Sequence, residues 1–171
     1  FIHFALRYPE IDVVIKAKAK QPGAPRKTVL LKPLMGSSIE IGKIPNLTIR
    51  DDLDLHDLFF ETDVVCGLQT SALIEAAVVG LPVTIPYFKD LQNPKYDERL
   101  YYRDMYDLFD IANNVKELEI LLLERLHNPV IDKKVMRQRE VLFEDYISSL
   151  DCSATEKYVE CIKQVIENQI V

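Results

Sequence analysis

The stretch DVVCGLQTSALIEAAVVGLPVTIPYF, residues 63–88, restricts the fold more than any other part of the chain. Its first four residues predict a short strand, and Thr70 or Ser71 is a good N-cap for a helix over residues 72–79. Gly80, with a proline two residues later, ends that helix, and PVTIP predicts the next strand. The stretch therefore predicts a strand, a helix and a second strand in one core unit.

The rest of the 171-residue chain continues this alternation. We expect helices over residues 1–8, 52–62, 115–127, 131–149 and 154–169, and further strands over residues 12–19, 47–50 and 108–112. Residues 20–46 predict a long loop around a short helix. The pattern indicates an α/β fold, a doubly wound, Rossmann-like parallel sheet, with a C-terminal helical tail. We place the α/β domain at residues 1–128 and the helices that pack on it at 129–171.

Composition narrows the functional classes. A formal net charge of -6 speaks against a general nucleic-acid binder, because neutralising phosphates needs a surplus of Lys and Arg. Three cysteines at spacings that match no zinc site read as reduced cytosolic thiols, and we expect no metal. The longest apolar runs fall short of a membrane span. The first residue, Phe1, opens directly on a helix-like pattern without an initiator Met, so we expect a piece of a longer, cytoplasmic protein.

The turn after the strand at residues 63–66 is the first place to expect chemistry. In an open parallel sheet, ligands bind beyond the carboxyl ends of the strands, where helix N-termini favour anions. Gly67 permits a close approach of the backbone, and Thr70 and Ser71 carry hydroxyls. These hydroxyls have two interpretations, a plain helix N-cap and a phosphate contact. The sequence alone leaves both open.

Other polar residues near predicted strand ends are weaker candidates. Glu75 lies one helical turn after Ser71 among apolar neighbours, so it is either a bidentate acceptor for ribose hydroxyls or a member of a buried salt bridge. Lys16 and Lys18 end the first strand and are either phosphate contacts or solvated lysines. The loop over residues 89–106 mixes basic and aromatic side chains that suit a closing loop, a partner surface or simple packing.

Motifs of self-contained enzymes are missing from the sequence. It has no G-x-x-x-x-G-K-[ST], G-x-G-x-x-G, H-E-x-x-H or G-x-S-x-G pattern, and its three histidines have no carboxylate or cysteine partner at a ligand spacing. The residues therefore speak against a self-contained hydrolase or metalloenzyme.

The pattern Gly-x-x-Thr-Ser-x-x-x-Glu-Ala, followed by Gly-x-Pro-Val and a strand that ends in Ile-Pro, resembles the C-terminal nucleotide-sugar-binding domain of GT-B-fold glycosyltransferases. Capsule polysaccharide transferases, teichoic-acid glycerophosphotransferases and UDP-N-acetylglucosamine 2-epimerases share it. The segments RYPEIDVVIKAKA and NLTIRDDLDLHDLFFETDVV resemble the preceding elements of that domain. The resemblance extends by order of elements over roughly residues 1–125.

The resemblance implies roles for the candidate residues. Thr70 and Ser71 would contact the donor's phosphates and Glu75 would hold its ribose, with Gly67 and Gln69 in the same turn. It also implies a UDP or CDP type of nucleotide-sugar or polyol donor as substrate, no cofactor, and an N-terminal domain that supplies the acceptor site. The catalytic residues stay unassigned, and the fragment alone is expected to be inactive.

Three readings compete. The leading one is the donor-binding half of a glycosyl or polyol-phosphate transferase in cell-surface polysaccharide synthesis. We expect it in the cytoplasm, at the inner face of the membrane. The missing domain would attach peripherally to that membrane. The first alternative is a UDP-N-acetylglucosamine 2-epimerase-like enzyme, and the second is a non-catalytic α/β assembly module. A receiver-like domain has the same kind of sheet but lacks its acidic cluster here.

Overall fold

The computed structural model of the protein describes residues 1–17, 40–93, 95–96 and 102–169. The chain forms two compact units, Phe1–Phe60 and Glu61–Val171. Helices combine with parallel sheets in both, so the protein has an α/β fold. The described strands pair as one two-stranded and one three-stranded sheet, which is compatible with a Rossmann-like fold, and the doubly wound arrangement stays a prediction. The domain boundary at residue 128 stays a prediction.

The first unit is a small layer of helices on two parallel strands. It contains helix α1 (Ile2–Arg7), strand β1 (Val13–Lys16), a single 3-10 turn (Ile41–Lys43), strand β2 (Leu47–Arg50) and helix α2 (Leu55–Phe60). The strands pair in parallel from Val13 opposite Leu47 to Lys16 opposite Arg50. Most of the loop predicted at 20–46 lies outside the described residues. The helix predicted at 52–62 is shorter than expected.

Asn46 holds the beginning of this unit together. It is buried, and its side-chain amide Nδ2 donates to the carbonyls of Ala5, Tyr8 and Ile11 at 2.8 to 3.0 Å. Its own carbonyl accepts from the backbone N–H of Val13 at 2.8 Å. One side chain thus supplies donors to the end of α1 and to the turn into β1, where helix carbonyls lack partners of their own.

The second unit is built around a three-stranded parallel sheet. Its elements are strand β3 (Val65–Cys66), helix α3 (Ser71–Val78), strand β4 (Val83–Pro86), strand β5 (Asp110–Ala112), and helices α4 (Val115–His127), α5 (Lys133–Tyr146) and α6 (Ala154–Gln169). The strand order is β3-β4-β5, with β4 in the middle and almost completely buried. Helix α3 packs on β3, β4 and α5, whereas α4 packs on β4 and β5.

Local signals place these elements close to their predicted bounds. Thr70 is the N-cap of α3 and Asn114 that of α4, each through a side-chain oxygen that accepts a backbone N–H. Gly80 follows α3 with a φ of +91°, a left-handed conformation that residues other than glycine rarely adopt. Its N–H donates to the carbonyl of Ala77, which closes the last turn of the helix.

A buried arginine joins α5 to the sheet. Arg139 is only 2% exposed. Its Nε and Nη2 donate to the carbonyl of Leu108 at 3.0 and 2.8 Å, and its Nη1 donates to the carbonyl of Leu81 at 3.0 Å. Each of these leucines lies two residues before a strand, β5 and β4 respectively. Burial lowers the pKa of the guanidinium to about 10, so the group is still charged at neutral pH.

We expect Arg139→Met to lower the free energy of unfolding by about 2–4 kcal/mol, because it leaves the buried carbonyl of Leu108 and the partly buried carbonyl of Leu81 without these donors. Urea denaturation measures this loss. Arg137→Met on the exposed face of the same helix is the matched control and should change stability by less than about 0.5 kcal/mol. Equal stabilities of the two variants would contradict the role of Arg139.

We expect Asn46→Asp to destabilise the first unit at neutral pH, because a carboxylate would then face three carbonyl oxygens instead of donating to them. Backbone hydrogen exchange should speed up at Tyr8 and Val13. The effect should shrink below about pH 4, where the new carboxyl is protonated and can donate again. Thr48→Ala, an exposed change on β2, is the control and should leave exchange at both positions unchanged.

Candidate functional site

The carboxyl ends of β3, β4 and β5 meet at one edge of the parallel sheet, which we call the carboxyl edge. The residues that follow these strands are Gly67, Tyr87 and Asn113. Strand β3 leads through the turn at residues 67–70 into α3. This edge is where a parallel sheet offers backbone N–H groups and side chains to a ligand.

Thr70 uses its hydroxyl as a helix cap. Its backbone is extended, and its Oγ1 accepts from the N–H of Ala72 at 3.4 Å. Of the two candidate caps, Thr70 is therefore the one that the fold uses. Ser71 is the first residue of α3 and is exposed, so its hydroxyl lies at the open end of the helix. Between these two, Ser71 is the hydroxyl better placed for a ligand.

Gln69 lies in the same turn in an uncommon conformation. Its φ of +55° is left-handed, which costs a non-glycine residue about 1 kcal/mol or more. Its amide Nε2 donates to the hydroxyl oxygen of Tyr106 at 3.2 Å. The side-chain bond offsets part of the backbone strain and fixes the shape of the turn.

Gly67 and Glu75 complete the group of predicted residues in the second unit. A Cβ on Gly67 would lie 3.1 Å from Cδ2 of Leu73, so a glycine lets α3 pack closely on the turn. The N–H of Gly67 donates to the carbonyl of Thr84 at 3.3 Å and extends the β3–β4 ladder. Glu75 is half-buried and lies four residues after Ser71, on the same face of α3.

Of the two candidate lysines, the structure describes only Lys16. Lys16 ends β1 in the first compact unit, whereas Gly67, Gln69, Thr70, Ser71 and Glu75 all belong to the second. Its Nζ donates to the carbonyl of Ala17 at 2.8 Å. Lys18 lies outside the described residues. Their predicted roles as phosphate contacts stay predictions.

Three tyrosines line the carboxyl edge. Tyr102 and Tyr106 belong to the aromatic loop predicted at 89–106, whereas the sequence pattern did not indicate Tyr87. Tyr102 donates its hydroxyl to the carbonyl of Thr70 at 3.2 Å. The rings of Tyr87 and Tyr106 meet edge to face at 5.4 Å between centroids, and those of Tyr102 and Tyr106 at 6.2 Å. The density of aromatic residues between β4 and β5 was a signal, but their segment has no helical or strand period.

Tyr102 and Tyr106 act as neutral hydrogen-bonding groups. Burial raises the pKa of the Tyr102 and Tyr106 hydroxyls above the ordinary value for tyrosine. Both therefore keep their protons at neutral pH, where each can donate one hydrogen bond and accept others. Neither is a general base at neutral pH.

Two further chemistries find no support. Among the residues that the structure describes, no group of three or more His, Cys, Asp or Glu side chains is arranged to hold a metal ion. Cys66 lies beside Gly67, but burial raises the pKa of its thiol to about 12, so it is not a thiolate nucleophile at neutral pH.

Within the described ranges, no helix has both the length and the apolar composition to cross a membrane.

Comparison of the chain with protein-family models, with curated proteins and with solved structures found no match.

We expect two of the three cysteines to react rapidly with a chromogenic disulfide reagent at about pH 8. Cys152 and Cys161 are exposed, whereas the high pKa and the packing of Cys66 keep its thiol protonated and covered. In urea, all three should react. Rapid reaction of the folded Cys66→Ala variant with only one equivalent of reagent would contradict this assignment.

Proposed function

We propose that the chain is the donor-nucleotide-binding half of a glycosyl or polyol-phosphate transferase, and that its second unit is the visible part of a Rossmann-like, doubly wound domain of the GT-B type. One observation carries the proposal. The exposed N-terminus of α3 follows β3 directly at the carboxyl edge of a parallel sheet, with Thr70 as its cap. Such a position is a ready site for phosphate oxygens.

The proposed roles follow from the geometry of α3. Ser71 and the first backbone N–H groups of the helix receive the donor's diphosphate. Glu75, one turn further along the same face, accepts hydrogen bonds from the two ribose hydroxyls. Stabilising the negative charge of a departing nucleoside diphosphate would be the contribution of this half to catalysis. The acceptor site and the catalytic base belong to a second domain, and the pathway is synthesis of a cell-surface polysaccharide.

A non-catalytic assembly module is the second candidate, and a specific observation favours it. The polar groups of the turn already have partners within the chain. The Thr70 hydroxyl caps α3, the Thr70 carbonyl accepts from Tyr102, and the Gln69 amide donates to Tyr106. A turn held in this way is stable without a ligand, as an assembly module requires.

Titration calorimetry with UDP, CDP and GDP distinguishes the two functions. We expect saturable binding of at least one nucleotide, and Ser71→Ala and Glu75→Ala should each weaken it about tenfold, which is the effect of losing one or two hydrogen bonds to a charged or polar ligand. Glu140→Ala on the exposed face of α5 is the control and should bind like the original chain.

Two results would count against the transferase half. Absence of saturable binding of all three nucleotides would favour the assembly module. Binding that survives both substitutions in α3 would place the nucleotide elsewhere.

A further inference from the structure

The carboxyl edge carries an exposed cation, Arg103, one of the basic residues of the loop predicted to close over a ligand or to face a partner. Arg103 begins a 3-10 segment, Arg103–Leu108, between β4 and β5. Its side chain is exposed, and its guanidinium carbon lies 5.8 Å from the centre of the Tyr87 ring. Tyr87 follows β4 directly, so the charge of Arg103 lies at the carboxyl edge of the sheet.

Residues on both sides of Arg103 are hydrogen-bonded to the turn before α3. Tyr102, the residue before Arg103, donates its hydroxyl to the carbonyl of Thr70 at 3.2 Å. Tyr106, three residues after Arg103, accepts from the amide of Gln69 at 3.2 Å. Arg103 therefore lies in the chain between two residues that contact the turn.

The backbone next to Arg103 is strained in the same way as the turn. Tyr102 has a φ of +46° and Gln69 a φ of +55°, both in the left-handed region that non-glycine residues avoid. Tyr102 contacts Thr70 and Gln69 contacts Tyr106, so each strained residue belongs to one of the two hydrogen bonds between the segment and the turn. Strain of this kind persists where the surrounding structure fixes a required geometry.

Tyr87 adds an unused hydrogen-bonding group at this edge. It is only 9% exposed, and within the described part of the chain its hydroxyl oxygen is buried without a hydrogen-bond partner. Leaving such a group unpaired costs free energy, so most buried hydroxyls have a partner. The Tyr87 carbonyl, by contrast, accepts from Gln92, which also donates to Asn113 and so links the ends of β4 and β5.

Thr84 shows that the position of Tyr87 matters. Its hydroxyl is also buried without a partner in the described structure, but Thr84 is fully buried inside β4. Tyr87 lies past the end of that strand, under an exposed arginine. Tyr87 therefore lies at the carboxyl edge beside Arg103, whereas Thr84 lies within the strand.

We propose that Arg103 supplies the cation, and Tyr87 a hydrogen-bond donor, to the phosphate groups of a nucleoside diphosphate bound at the N-terminus of α3. The inference rests on the proposed function and deepens it. The guanidinium can donate two hydrogen bonds to one phosphate group, and a neutral phenol donates a third. Arg103 thereby takes the role that the sequence assigned to Lys16 and Lys18.

Binding of a graded series of ligands tests the inference. UDP, UMP and uridine, or the series with the base that binds best, are titrated into the chain and into Arg103→Gln. We expect Arg103→Gln to weaken the diphosphate about ten- to a hundredfold, the monophosphate less, and the nucleoside not at all. Arg137→Gln, an exposed arginine on α5, is the matched control and should bind all three like the original chain.

Tyr87→Phe removes only the hydroxyl and keeps the ring contacts. We expect it to weaken the diphosphate about three- to tenfold while the ligand-free protein unfolds at the same or a higher temperature, because an unpaired buried hydroxyl is lost. Thr84→Val should likewise not lower the unfolding temperature, but it should leave binding unchanged. A ligand-free Tyr87→Phe protein that is clearly less stable would show that the hydroxyl already has a partner, and would overturn its proposed role.

The outcomes separate this inference from the proposed function. Diphosphate binding that Ser71→Ala weakens and Arg103→Gln does not would leave the function standing and overturn the inference. If no nucleotide binds, the proposed function fails, and inorganic pyrophosphate decides the inference. Pyrophosphate binding that Arg103→Gln abolishes would support an anion site at this edge, and absence of such binding would overturn it.

Discussion

The second unit depends on a buried charge whose hydrogen bonds go to backbone carbonyls. Arg139 lies under the sheet with three of its N–H groups on the carbonyls of Leu81 and Leu108, and its guanidinium carbon is 5.7 Å from the centre of the Phe109 ring. A buried cation is costly unless its donors are used. Here it fixes the residues before two adjacent strands, so the register of β4 and β5 and the position of α5 depend on one side chain.

The carboxyl ends of β3, β4 and β5 are held by their own set of hydrogen bonds. Because β3, β4 and β5 are parallel, their carboxyl ends lie together, and their following residues are held by tyrosine hydroxyls and by the amide of Gln92. The turn at Gln69 and Thr70 is thus held by hydrogen bonds to Tyr106 and Tyr102. The same contacts that make the turn rigid without a ligand also bring Arg103 to it, so rigidity and anion binding do not exclude each other.

Local chemistry explains which parts could be predicted from sequence. The helix that begins after Thr70 and ends before Gly80, and the helix capped by Asn114, follow from capping residues and from glycine. The division into two small sheets could not be predicted, because strand pairing is a long-range property. Arg139 looks like a surface residue in a charged helix, and the contact of Tyr106 with Gln69 joins residues far apart in the chain. Neither leaves a periodic signal.

The hydrogen bonds of the tyrosine hydroxyls at the carboxyl edge also set the order in which this region can fold while the chain is being translated. The segment from β3 to β4 can leave the ribosome with its strands and helix already specified by local signals. Its turn, however, waits for Tyr102 and Tyr106, which are translated 32 and 37 residues after their partners Thr70 and Gln69. At about 5–20 residues per second, this is a delay of roughly two to seven seconds. A nascent chain that stalls before Tyr102 therefore lacks the contacts that shape this edge.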